Sequence, residues 1–245
     1  MLNPTLLADL AGNRYVHINN LIDLFPISER EMAQFKLYWN NLVLDENFKN
    51  YTNRKRRILR YHYQPGQPLR LNRDASYQPS ATYSVDYTRG VNNLTYVEED
   101  FITHPVMQHI LATDIALLQY QLDASYYYAI DAHQFRVSAE QGNVSPTTSG
   151  IHQDGTDWVC MHFIAGSNIY PVLSEVHISQ QEAPPLLATT MNQCLETLII
   201  DDKHLYHRAG SVRQLSASAP AFRDILVITF RKCSQPQAAV ASPCQ

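Results

Sequence analysis

Two histidines and an aspartate are the residues of this chain whose types and spacing could do chemistry. His152-Gln153-Asp154 follows a loop ending in Ser149-Gly150, and His207 follows the apolar run Thr197-Leu198-Ile199-Ile200 and the acidic turn Asp201-Asp202. In an extended strand, residues two apart project to the same face, so His152 and Asp154 can grip one ion while Gln153 points away. With His207 they make a two-histidine, one-carboxylate set of the kind that binds iron(II). Three protein ligands leave coordination positions open, and an open, redox-capable metal is a catalytic arrangement. The chain has ten histidines, so a lone His-x-Asp is weak evidence without its context.

The elements that must position these residues read as two helices and a run of short strands. Ser28-Glu29-Arg30-Glu31 is a capping-box pattern, and Met32, Phe35, Tyr38, Trp39, Leu42 and Val43 follow at helical spacing, predicting a helix over 28–43. A second helix is predicted after Pro105, where Val106, Met107, Ile110, Leu111, Ile115 and Leu118 make an apolar stripe. Strand texture covers 58–63, 126–130, 135–139, 158–164, 172–178, 196–200 and 222–231, with polar loops at 141–150 and 216–220. This pattern predicts a mainly β fold with flanking helices, a sandwich or jelly-roll barrel buttressed on one face. The expected organisation is a single domain over residues 1–233 with an N-terminal helical part, then a small, polar, flexible tail over 234–245.

Composition narrows the function classes. The 45% hydrophobic and 17% charged residues are those of a globular protein with a real core. A net charge of -4 argues against a broad polyanion-binding surface. The run Arg54-Lys55-Arg56-Arg57 is the local exception and reads as a solvated strand entrance with no assigned function. No stretch approaches the ~20 apolar residues of a membrane span, and the start lacks a leader pattern, so a cytoplasmic location is expected. Cys160, Cys194, Cys233 and Cys244 are widely spaced, which predicts reduced, incidental thiols.

Three blocks in order carry a resemblance to a known family. They are Gly150-Ile151-His152-Gln153-Asp154-Gly155, then Asp201-Asp202 with His207 five residues on, then Arg223-Asp224-Ile225-Leu226-Val227-Ile228-Thr229-Phe230-Arg231; His133-Gln134-Phe135-Arg136 is a weaker fourth. The chain resembles the Fe(II)/2-oxoglutarate dioxygenases that include bacterial free amino-acid hydroxylases of the isoleucine dioxygenase type. The resemblance implies a double-stranded β-helix (jelly roll, cupin-like) with His152, Asp154 and His207 as iron ligands. It also implies 2-oxoglutarate and O2 as co-substrates, with decarboxylation to succinate coupled to hydroxylation of a C–H bond. Related halogenases replace the carboxylate ligand with a small residue, so Asp154 favours hydroxylation.

The distal carboxylate of 2-oxoglutarate needs a cation, and a guanidinium can meet it with two charge-assisted hydrogen bonds. Arg223, where such enzymes place this arginine, is the expected anchor, with Arg213 and Arg231 as rivals. Arg136 is the expected contact for a substrate carboxylate. His204 competes with His207 as distal ligand, whereas His162 and His177 lie in strand-like runs and read as structural. The chain departs from the family at Asn168-Ile169-Tyr170-Pro171-Val172-Leu173-Ser174-Glu175, where many members carry a glycine-rich turn, and this puts the substrate in question more than the metal. The expected partner is a small molecule such as a free amino acid, with neither nucleic acid nor membrane. Two alternatives are a same-chemistry hydroxylase of a peptide side chain and a non-catalytic jelly roll that binds a small ligand or a metal.

Overall fold

The computed structural model describes residues 3–46, 53–74, 76–77, 92–139, 143–147, 150–181 and 183–233. The expected tail, Cys244 and parts of the 141–150 loop lie outside these residues. In chain order the helices are α1 (Pro4–Asn13), α2 (Glu29–Leu37), α3 (Glu99–Thr103) and α4 (Pro105–Leu118). The strands are β1 (Tyr15–Ile18), β2 (Val43–Leu44), β3 (Arg54–Tyr63), β4 (Arg70–Asn72), β5 (Ser76–Tyr77), β6 (Asn92–Asn93), β7 (Tyr127–Ser138) and β8 (Asn143–Val144). They continue with β9 (Trp158–Ser167), β10 (Ser174–His177), β11 (Leu187–Thr189), β12 (Thr197–Asp201), β13 (Tyr206–Ala209), β14 (Val212–Arg213) and β15 (Phe222–Cys233).

The helix starts follow their sequence signals. Ser28 Oγ accepts the Glu31 N–H at 3.2 Å while the Glu31 carboxylate accepts the Ser28 N–H at 2.8 Å, closing the capping box of α2. The helix ends at Leu37 rather than continuing to residue 43, because residues 38–41 tighten into a 3-10 turn. That turn seats Trp39 in the core, its indole N–H donating to the Phe135 carbonyl at 3.0 Å. Pro105 opens α4 as expected. Helix α1 was not anticipated; Asn3 caps it by accepting the Thr5 N–H, and Pro4 occupies its first turn.

The fold is a double-stranded β-helix. An eight-stranded antiparallel sheet runs β1-β12-β9-β15-β7-β3-β2, with β4 attached to β3, and faces a three-stranded sheet of order β11-β10-β13. The stretches expected at 126–130 and 135–139 are one twelve-residue strand, β7, held by β15 on one side and β3 on the other. Alternation gives each of these strands two different faces. Leu59, Tyr61, Tyr128, Ile130, Ala132, Leu226, Ile228 and Phe230 pack against Phe35, Phe101, Val106, Met107, Ile110 and Leu111 from the helices. The other face points into the barrel, where Phe163, Leu198 and Ile200 meet Val176 of the smaller sheet. At about 25 cal/mol per Å² of apolar surface, the helix-side core is the main source of stability.

The basic run at residues 54–57 is not a solvated strand entrance. It is the start of β3 itself, and alternation turns Arg54 and Arg56 inward, leaving them 7% and 5% exposed. Arg54 donates through Nε and Nη2 to Asp45 at 3.1 and 2.7 Å, and Arg56 Nε stands 3.3 Å from the same carboxylate. Burying these charges is tolerable because they are paired. Among the described residues no helix is long and apolar enough to cross a membrane.

Candidate metal centre

His207 lies mid-strand in β13 opposite Val176 of β10, and His152 extends the same small sheet through an isolated antiparallel bridge to His207. The alternation predicted for His152-Gln153-Asp154 holds: Gln153 turns aside to the Leu205 carbonyl at 3.2 Å, while His152 and Asp154 converge. Asp154 Oδ1 is 3.6 Å from His152 Nε2, and its Oδ2 is 3.7 Å from His207 Nε2. One ligand atom from each of the three residues lies within 4.8 Å of the others. Donors about 2.1 Å from one ion stand roughly 3–3.4 Å apart, so small side-chain rotations close this set on a cation.

The hydrogen-bond pattern sets the tautomers. His152 Nδ1 faces the Gly150 carbonyl at 3.0 Å, and a carbonyl can only accept, so Nδ1 carries the proton and Nε2 offers its lone pair toward Asp154. Burial lowers His207 to about 4, keeping it a neutral imidazole at ordinary pH, the form that binds metal. Neighbouring His133, on the inward face of β7, is held at about 3 by burial and then by Arg56. Burial and the Asp154 carboxylate push Asp202 up to about 7, against the hydrogen bonds it accepts; a bound cation would favour its ionised form.

Arg223 is buried on the inward face of β15, the face it shares with Ile225, Val227 and Thr229. Its Nη2 donates to Ser174 Oγ at 3.3 Å, its guanidinium lies 5.9 Å over the Phe163 ring, and its Nε has no hydrogen-bond partner. Burial lowers it to about 10, partly offset by Glu196, so it stays charged at neutral pH. Ser174 stands opposite Ala209, two positions from the His207 level, which puts this cation roughly 7 Å along the sheet from the distal histidine. An orphaned, buried guanidinium N–H inside the barrel is what a carboxylate ligand would satisfy.

A family model described as 2OG-Fe dioxygenase matches residues 36–229, which include the triad and Arg223. The chain belongs to the 2OG-Fe dioxygenase family. Solved structures agree with the fold. IDO from Bacillus thuringiensis is 19% identical over 94% of each chain with a TM-score of 0.77. A bsmA homolog from Methylobium petroleophilum PM1 is 25% identical over 93% of this chain and 92% of that one, with a TM-score of 0.79. The Fe(II)/(alpha)ketoglutarate-dependent dioxygenase TqaL is 17% identical, covering 95% of this chain and 87% of that one, with a TM-score of 0.72. The comparison with curated proteins returns no match. The protein is an oxygenase that uses Fe(II), 2-oxoglutarate and O2.

The dioxygenase does not bring Arg136 into this site. Arg136 lies on the helix-facing side of β7 and donates through Nε and Nη2 to Asp224 at 2.7 and 2.6 Å, its cross-strand neighbour on β15. It also stacks 4.2 Å over Phe222. Alternation puts Phe135 and Val137 opposite Arg136 on β7, and the inward face is theirs. His204 is a turn residue bonded to the Asp201 carboxylate at 2.8 Å. His162 bridges Asp114 and Thr197 at 3.0 and 2.9 Å within the helix-side core, and His177 is buried in the small sheet. Of the rivals to Arg223, Arg213 is exposed over Tyr170. The departing segment at 168–175 supplies Leu173 and Glu175 to a cavity of about 330 Å³, bounded also by Ser145, Gly150 and Arg208 and lined by none of the three triad residues. The inward arginines of β3 are the feature that sequence reasoning missed; their every-other-residue spacing was the available signal.

Proposed function

We propose that the dioxygenase hydroxylates a free amino acid or a similar small molecule, with His152, Asp154 and His207 holding Fe(II) and Arg223 holding 2-oxoglutarate. The convergence of two Nε2 atoms and one carboxylate on a common point carries this reading. When bound, the iron supplies the redox chemistry by which substrate C–H, O2 and 2-oxoglutarate become C–OH, succinate and CO2. The protein's own part is positional. The Gly150 carbonyl keeps the His152 proton on Nδ1, the small sheet sets both imidazoles side by side, and Arg223 with Ser174 takes the distal carboxylate of the co-substrate.

The inner wall supports the substrate class. Arg54, Arg56 and Arg60 all point inward from β3, and Phe135 and His133 stack beside them at 5.5 Å. Arg54 and Arg56 are paired with Asp45 and Arg60 with Asp131, so this wall is a charge-balanced polar surface, which suits a small zwitterion such as a free amino acid. The test is succinate formation with iron-loaded protein and a panel of free amino acids, read with mass spectrometry for a gain of one oxygen. Stimulated turnover with at least one amino acid is expected; turnover that no small molecule stimulates would refute the substrate class.

A further inference from the structure

Asp202 is the group on which both ligand-bearing segments meet. It sits in the turn after β12, 1% exposed, and its backbone N–H donates to the Asp157 carbonyl at 3.0 Å. Its Oδ1 accepts the Asp154 N–H at 3.0 Å, and its Oδ2 accepts the Thr156 N–H at 2.8 Å and the Thr156 hydroxyl at 3.1 Å. Gly155, between the two donors, has φ +79°, the left-handed conformation that aims flanking amides at one anion. The same Oδ1 stands 3.6 Å from Nδ1 of His207, the ring nitrogen turned away from Asp154. That nitrogen is buried and hydrogen-bonded to nothing, so Asp202 is its nearest acidic neighbour.

A separation of 3.6 Å is an electrostatic preference and not a formed hydrogen bond. Nε2 is as near a carboxylate, 3.7 Å from Asp154 Oδ2, so the metal-free ring has no strong tautomer preference; once a cation takes the Nε2 lone pair, the proton is left on Nδ1, facing Asp202. Asp202 cannot itself join the triad without abandoning three donors. We propose that Asp202 is a positioning residue of the metal centre: it clamps the main chain of Asp154 and gives the Nδ1 proton of His207 its carboxylate neighbour when Nε2 holds the ion. This rests on the reading that the triad holds Fe(II).

The experiment compares wild type, Asp202→Asn and Thr156→Val by anaerobic Mn(II) titration calorimetry and by ¹⁵N-histidine NMR of the Zn(II)-loaded protein. In the asparagine variant the amide cannot serve both the two main-chain donors and a protonated Nδ1. The expected result is Mn(II) binding weaker by about 10- to 100-fold in Asp202→Asn, with the His207 Nδ1–H resonance shifted, while Thr156→Val keeps that resonance. Unchanged affinity together with an unchanged Nδ1–H resonance in Asp202→Asn would overturn the proposal. Wild type that binds no Mn(II) would instead overturn the metal reading. Should Asp202→Asn not fold, the Zn(II)-loaded wild type decides, since His207 bound to the ion through Nδ1 contradicts the proposal outright.

Discussion

The backbones of His152 and His207 exchange hydrogen bonds, N–H to carbonyl at 3.0 Å one way and 2.9 Å the other, and their rings stand 4.4 Å apart. The two imidazoles are therefore neighbours by strand register and not by side-chain reach. Side chains of a paired couple project to the same face, so the bridge delivers both rings to the barrel interior. A shift of one residue in either segment would turn one histidine outward.

Arg223 should govern the co-substrate. Replacing it with alanine removes a charge-assisted hydrogen-bond donor set worth about 1.5–3 kcal/mol, an increase of roughly 10- to 100-fold in KM for 2-oxoglutarate. Arg223→Lys should recover part of this, because a point charge remains without the planar fork. Steady-state kinetics with varied 2-oxoglutarate check it; an unchanged KM in both variants would move the anchor elsewhere.

Arg136 should matter to folding and not to catalysis. Removing it leaves Asp224 buried without its partner, and burial already raises the Asp224 carboxyl. Arg136→Ala should lose about 2–4 kcal/mol in urea unfolding, whereas the double variant Arg136→Ala/Asp224→Ala should lose less than the sum of the singles. KM for the amino-acid substrate should stay within twofold. A large KM effect without destabilisation would return Arg136 to the substrate site.

The His-x-Asp spacing, the mainly β texture and the second helix were legible in the sequence because each has a local signature, strand spacing, apolar alternation and a proline at a helix start, whereas the choice of jelly roll over sandwich came from the family resemblance. The face of β7 was not. Alternation says that Arg136 and Phe135 point opposite ways, but only the packing of Leu59, Leu226 and Ile228 against the helices shows which way is in. The same gap hid Arg54 and Arg56, whose charge suggested solvent until Asp45 supplied a buried partner from nine residues upstream of Arg54. Asp202 was visible only as an acidic turn, since its role depends on contacts with Asp154 and Thr156, distant in the chain, and on the turn that brings it near His207.

Stability should fall in acid partly through Glu175. A hydrogen bond from Arg208 at 2.5 Å, chiefly, lowers its pKa in the fold, against the opposing effect of burial. A depressed carboxylate contributes stability that is full above its unfolded value of about 4.3 and is lost as pH falls through the folded value. Arg208 is 31% exposed, so the contribution is at most about 1 kcal/mol. Glu175→Gln should be less stable than wild type at pH 7 and converge with it near pH 3 in urea titrations. A gap that persists at low pH would contradict the assignment.

Fe(II) binding by the triad is the central claim, and anaerobic titration of the metal-free protein measures it directly. Wild type should take up one Fe(II) per chain, and His207→Ala should lose stoichiometric binding while keeping its far-ultraviolet circular dichroism. Equal iron uptake by the two proteins would contradict the account.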